Sequence, residues 1–189
     1  MKSSMFLKNI TVIDHAYIGR DGRQHGGSFH ASFDVSGRVD ANEQVVIDFS
    51  TVKKDIKSIV DDKVNGFDHK LWFLTAYSEG AVAISSSKEV TVKTSALEIT
   101  APQDIIRMVD CDNYDTTKLS KIVGDYVETE LAKKHPGIEL KVTCVLNEEP
   151  VAKGYRVEMF RYSHGLRNST SWGCQNIAHG HLKIGRAHV

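Results

Sequence analysis

The sequence predicts an α+β fold, an antiparallel sheet with two helices packed on one face. Three observations carry this. Phe29, Ala31, Phe33 and Val35 alternate with His30, Ser32 and Asp34, the period-two pattern of a half-buried strand. Leu119, Ile122, Val123, Tyr126, Val127 and Leu131 recur at helical spacing and form one apolar stripe. Ile138, Leu140, Val142, Cys144 and Leu146 then alternate again, after Pro136-Gly137 breaks the helix.

The elements follow in order. Residues 6–18 read as a strand, with Ile10, Val12 and residues 16–18 around a polar Asp14-His15. A polar, glycine-rich connection over residues 19–27 joins it to the alternating strand, so residues 6–37 make a long hairpin. Residues 45–49 lead into Ser50, read as a helix N-cap, and Val52, Ile56, Ile59 and Val60 repeat at helical spacing. Asn65-Gly66 marks the expected stop. Residues 81–85 and 90–99 are two further strand candidates, closed by Pro102. Asp115 or Thr116 caps the second helix, and Lys133-Lys134 suits the negative charge at its end. Residues 155–162 give one more strand. The order β-β-α-β-β-α-β-β is that of an α+β sandwich.

Composition narrows the function. The 189 residues carry 24 basic and 24 acidic side chains, so no charge excess favours nucleic acid or a membrane surface. No apolar run is long enough for a signal peptide or a membrane span. Three widely spaced cysteines argue against a disulfide framework and for a reducing cytoplasm.

The chemistry concentrates near the C-terminus. Residues two apart on a strand point the same way, so His179 and His181 can address one ion together. His164, from a neighbouring strand, completes a tripod of imidazoles with an open fourth position, the catalytic form of a zinc site. Cys174 lies between them, after Trp172-Gly173 in a polar loop. Its nearness to a cation site favours an accessible, acidified thiol, against the alternative of a small core residue. Cys111 and Cys144 read as structural. Asp68-His69-Lys70 follows the first helix, and a carboxylate touching an imidazole can orient it and raise its basicity. Glu148 stands at the end of a strand, where a carboxylate can grip an amidine-like pair of N–H groups.

These residues together resemble the T-fold pterin enzymes, 6-carboxy-tetrahydropterin synthase and 6-pyruvoyl-tetrahydropterin synthase. Phe160-x-x-x-His164 and Cys174-x4-His179-Gly180-His181 match the metal and thiol segment, Asp48-Phe49 the helix start, Asp68-His69-Lys70 the acid/base pair and Glu148 the pterin anchor. The order departs, because the metal segment comes first in those enzymes and last here. Residues 10–37 stand in the expected place as a degraded copy, with His25-Gly26-Gly27 where His-Gly-His belongs and no preceding cysteine. Lys118 stands near where the family has a glutamate.

Circular permutation and a tandem of two T-fold units both account for this order, and the end of the chain favours the tandem. Residues 184–189 match the peptide encoded by a common sequencing adaptor up to its stop codon, so they read as a non-native tail and His188 is not counted as a ligand. The expected organisation is a T-fold unit over residues 1–155 and the start of a second over residues 156–183. The resemblance implies a zinc-dependent lyase converting 7,8-dihydroneopterin triphosphate to 6-carboxy-tetrahydropterin, on the route to queuosine-type deazapurines. It assigns zinc to His164, His179 and His181, proton transfer to Cys174 and to His69 held by Asp68, and the pterin edge to Glu148. It also implies a homo-oligomer, because T-fold units bury their sheet edges by assembling into barrels. The alternatives are triphosphate elimination of the 6-pyruvoyl type and a non-catalytic assembly unit.

Overall fold

The computed structural model describes residues 1–42, 44–77, 82–84, 89–94, 96, 98–148, 157–164 and 179–186; for 82–84, 157–164 and 179–186 it describes the backbone alone. The first hairpin is built from β1 (Lys2–Ile18) and β2 (Gln24–Arg38). Their antiparallel register runs from Lys2 opposite Arg38 to Ile18 opposite Gln24, with one irregularity between Leu7 and Thr11. Asn9, at φ +48, sits in this bulge, and its N–H donates to Ser32 Oγ at 2.9 Å. The bulge alters the expected alternation: Ile13 is buried, whereas Val12 is 41% exposed on the other face.

Helix α1 (Phe49–Val60) starts one residue before Ser50. Its cap is Asp48, whose carboxylate accepts from the Thr51 N–H at 2.7 Å. The helix also stops earlier than Asn65-Gly66, at Asp61. The intervening turn is held by Asp62 Oδ1, which accepts from the N–H groups of Val64 and Asn65.

The chain then adds elements that the pattern concealed. β3 (Leu71–Leu74) pairs parallel with β1, and β7 (Ile106–Val109) pairs parallel with β3, so the main sheet is mixed rather than purely antiparallel. Between them, β4 (Val82–Ile84), β5 (Glu89–Lys93) and β6 (Glu98–Pro102) form a separate antiparallel sheet. The single candidate strand over residues 90–99 thus falls on two strands, β5 and β6. Helix α2 (Thr116–Lys134), capped by Asp115, is followed by β8 (Leu140–Asn147), which pairs with β2. A second hairpin, β9 (Val157–His164) and β10 (His179–Arg186), joins the sheet through a pairing of Gly180 with His15 on β1.

The core explains the layers. Val52, Ile56 and Ile59 of α1 and Leu119, Val123 and Val127 of α2 meet Ile13, Phe29, Phe33 and Val142 of the sheet in one cluster. Both helices therefore cover the same face. On the opposite face, Val90 and Val92 of the small sheet pack with Ala16, Ile18, Leu71 and Phe73. Among the described residues, no helix is long and apolar enough to cross a membrane.

Candidate active site

The Asp68–His69 pair sits in the tight passage from α1 into β3. After the helix ends, the N–H of Phe67 returns to the Val60 carbonyl at 2.8 Å, which turns the chain toward β1. There Asp14 clasps the pair by its backbone. Its N–H donates to Asp68 Oδ1 at 2.9 Å, and its carbonyl accepts from the His69 N–H at 2.7 Å. His69 is held at φ +54, a left-handed conformation uncommon outside glycine, which persists only where neighbouring contacts enforce it.

The second oxygen of Asp68 lies 2.6 Å from His69 Nδ1. A carboxylate only accepts here, so Nδ1 carries the proton and exchange with a substrate would run through Nε2. The bond to Asp68 raises the His69 pKa above its ordinary value; burial opposes the shift, and the charges of Asp68, Asp14 and Asp61 add to it. Such an imidazole is pre-oriented and holds its proton toward neutral pH, which suits a general acid/base.

Lys70, the third residue of the motif, is 2% exposed and serves the backbone. Its ammonium donates to the carbonyls of Lys63, Val64 and Asp104, tying the turn after α1 to the start of β7. Burial pushes its pKa down, with nearby acids opposing.

The predicted metal ligands are placed by backbone register. His179 lies opposite His164 in the β9–β10 ladder, and His181 lies opposite Tyr162. Gly180, between the two, pairs with His15, the residue after Asp14. The side chains of all three histidines, and the whole of Cys174, lie outside the described residues. Among the described residues no group of three or more His, Cys, Asp or Glu could hold a metal.

Glu148 follows β8 and lines a cavity of about 830 Å³ between α2 and β8, together with Thr116, Ser120 and Lys141. It is not brought against His69. The strands β1 and β2 stand between them, three strand spacings or roughly 14 Å at the backbone. Lys118 is engaged at the surface, with Nζ 2.6 and 2.7 Å from the two Asp112 oxygens. Cys144 is buried as expected, and burial pushes its thiol up to about 12.

One constellation went unread in the sequence. His15 is fully buried, with its ring 3.8 Å from that of Trp72, and its Nε2 is 2.9 Å from the Tyr114 hydroxyl. Tyr114 in turn stacks on Tyr17 at 3.8 Å, and Tyr17 stacks on His25 at 5.3 Å. The available signal was the repetition of a histidine followed by His-Gly-x in both hairpins. The partner, 99 residues away in sequence, gave none.

A family model described as 6-pyruvoyl tetrahydropterin synthase matches residues 7–142. The chain belongs to this family. The family comprises lyases acting on pterin triphosphates, typically as oligomers. The matched stretch contains Asp68 and His69 and ends before Glu148 and the C-terminal histidines. Solved structures agree on the fold. The 6-pyruvoyltetrahydropterin synthase of Plasmodium vivax is 15% identical, with a TM-score of 0.55 over 76% of this chain and 91% of that one. The Plasmodium falciparum 6-pyruvoyl tetrahydropterin synthase is 17% identical, with a TM-score of 0.51 over 77% of this chain and 98% of that one. No curated protein matches the sequence. The fold is thus the T-fold of this family, with a mixed sheet and two helices.

Proposed function

We propose that this chain is a zinc-dependent lyase converting 7,8-dihydroneopterin triphosphate to 6-carboxy-tetrahydropterin, with release of triphosphate and acetaldehyde. The observation that carries the reading is an adjacency on β1. Asp14 clasps the Asp68–His69 pair, and the next residue, His15, pairs with Gly180 at the centre of His-Gly-His. An acid/base pair and the metal-ligand segment thereby attach to consecutive residues of one strand.

The donor set fits a catalytic zinc ion. His164, His179 and His181 occupy neighbouring positions of one antiparallel ladder and would hold it, three imidazoles being the ligand number of catalytic zinc sites. Zinc, when bound, polarises the substrate's side-chain oxygens and lowers the cost of removing a proton beside them. His69 exchanges a proton through Nε2, its ring orientation set by Asp68. Cys174 is assigned the second proton transfer, at the carbon next to the ring. Glu148 grips the pterin's N–H edge. Because Glu148 and His69 stand apart in one chain, a partner copy in an oligomer can complete the site.

The test is turnover by the full chain with zinc and dihydroneopterin triphosphate. Acetaldehyde and triphosphate should both appear, and both should vanish in Cys174→Ala and His179→Ala. Unchanged activity in both variants would sink the lyase assignment, and triphosphate without acetaldehyde would move it to the 6-pyruvoyl reaction. One observation favours a second reading, in which residues 1–155 are an assembly unit. The first hairpin carries a histidine ahead of its own His-Gly-Gly, and that histidine is fully buried against Trp72 and Tyr114.

A further inference from the structure

The two hairpins of this chain carry the same local pattern. Each has a histidine at the end or near the end of its first strand and a His-Gly-x tripeptide at the start of its second, His15 with His25-Gly26-Gly27 and His164 with His179-Gly180-His181. We propose that the first copy is a closed site sealed by Tyr114, so that the chain takes its metal at the second hairpin alone. This rests on the ligand assignment given above for the second hairpin.

The chemistry of His15 supports the closure. Its Nδ1 lies 3.3 Å from the Ile13 carbonyl, and a carbonyl can only accept, so Nδ1 carries the hydrogen. The lone pair of the neutral ring is therefore on Nε2, the atom a metal would need. The Tyr114 hydroxyl sits 2.9 Å from it and donates its proton there. Stacking on Trp72 and Phe29 fixes the ring in this orientation, with centroids 3.8 and 5.3 Å away.

The other two positions are closed as well. Gly27 pairs with His15 across the ladder, and a Cβ built there would stand 2.6 Å from His15 Nε2 and collide with the Tyr114 hydroxyl. No side chain larger than hydrogen fits at position 27 while Tyr114 is in place. His25 is turned away, with Nε2 2.9 Å from Asp21 Oδ1 and its ring against Tyr17. Tyr114 comes from the loop between β7 and α2, so the seal also fastens that loop, and the helix it leads into, to the first hairpin.

Zinc content measured on the full chain after zinc loading and gel filtration tests the proposal. The expected result is one zinc per chain in the wild type, the same in His15→Gln and Tyr114→Phe, and none in His179→Ala. Two zinc ions per chain, or loss of zinc in His15→Gln, would overturn the closure. Zinc retained in His179→Ala but lost when His15→Gln is added to it would place the metal at the first hairpin and overturn the closure; zinc retained in both, or a wild type with no zinc, would overturn the second-hairpin assignment instead. Tyr114→Phe keeps the ring stack and carries the test if His15→Gln fails to fold: loss of its zinc would overturn the closure.

Discussion

The β1–β2 and β9–β10 hairpins share a histidine pattern and differ in what stands opposite it. In the first, His15 faces Gly27 and its ring is committed to Tyr114 and Trp72. In the second, His164 faces His179, with His181 two positions on. The first histidine is part of a packed core, whereas the second set is the one proposed above to hold zinc. A buried imidazole is tolerated when both nitrogens are hydrogen-bonded, as those of His15 are to the Ile13 carbonyl and the Tyr114 hydroxyl.

Substitutions in the two hairpins should therefore register on different instruments. His179→Ala should lower turnover by more than the about 10–100-fold typical of losing a group that merely supports a metal ligand, with the unfolding midpoint of the zinc-free chain unchanged. His69→Gln, on the acid/base pair between the hairpins, should cost about 10²–10⁴ in kcat while zinc stays bound. Trp72→Ala should destabilise the fold by roughly 3–5 kcal/mol in urea unfolding, because it removes both the ring under His15 and the Nε1 bond to the Phe67 carbonyl. Tyr114→Phe should cost about 1–3 kcal/mol, since it strands a buried acceptor on His15. If His179→Ala were the variant that unfolds and Trp72→Ala the one that loses metal, the comparison would be inverted.

The pH dependence sharpens the same contrast. Asp68 raises the His69 pKa, so the pair stabilises the fold fully below the unfolded histidine value, about 6.5. That contribution is lost as pH rises through the higher folded value. Asp68→Asn should move the His69 titration, followed by NMR, to lower pH and take the alkaline limb of the rate profile with it.

How much of this was legible in sequence depends on periodicity and on distance. Helix α2 was plain because a long stripe, the Asp115 cap and Pro136-Gly137 agree with one another. β3 was not, because all four residues Leu71–Leu74 are buried. Trp72 and Leu74 face the main core, Leu71 and Phe73 face the small sheet, and a strand covered on both sides shows no alternation. The cap of α1 was misplaced at Ser50 because Asp48 lies within an apolar run that reads as a strand. Asp68-His69 could be found as a dipeptide, whereas its clasp by Asp14, 54 residues away, could not. The T-fold resemblance supplied what local patterns lacked, and it rested on motif content, since the metal segment stands last here and first in the family.

The central claim is that the second hairpin holds the metal and the first does not. X-ray absorption at the zinc edge on the loaded chain tests this most directly. The account predicts three imidazole nitrogens at about 2.0–2.1 Å, a shell that survives in His15→Gln and collapses in His164→Ala. A shell that survives in His164→Ala and collapses in His15→Gln would contradict it.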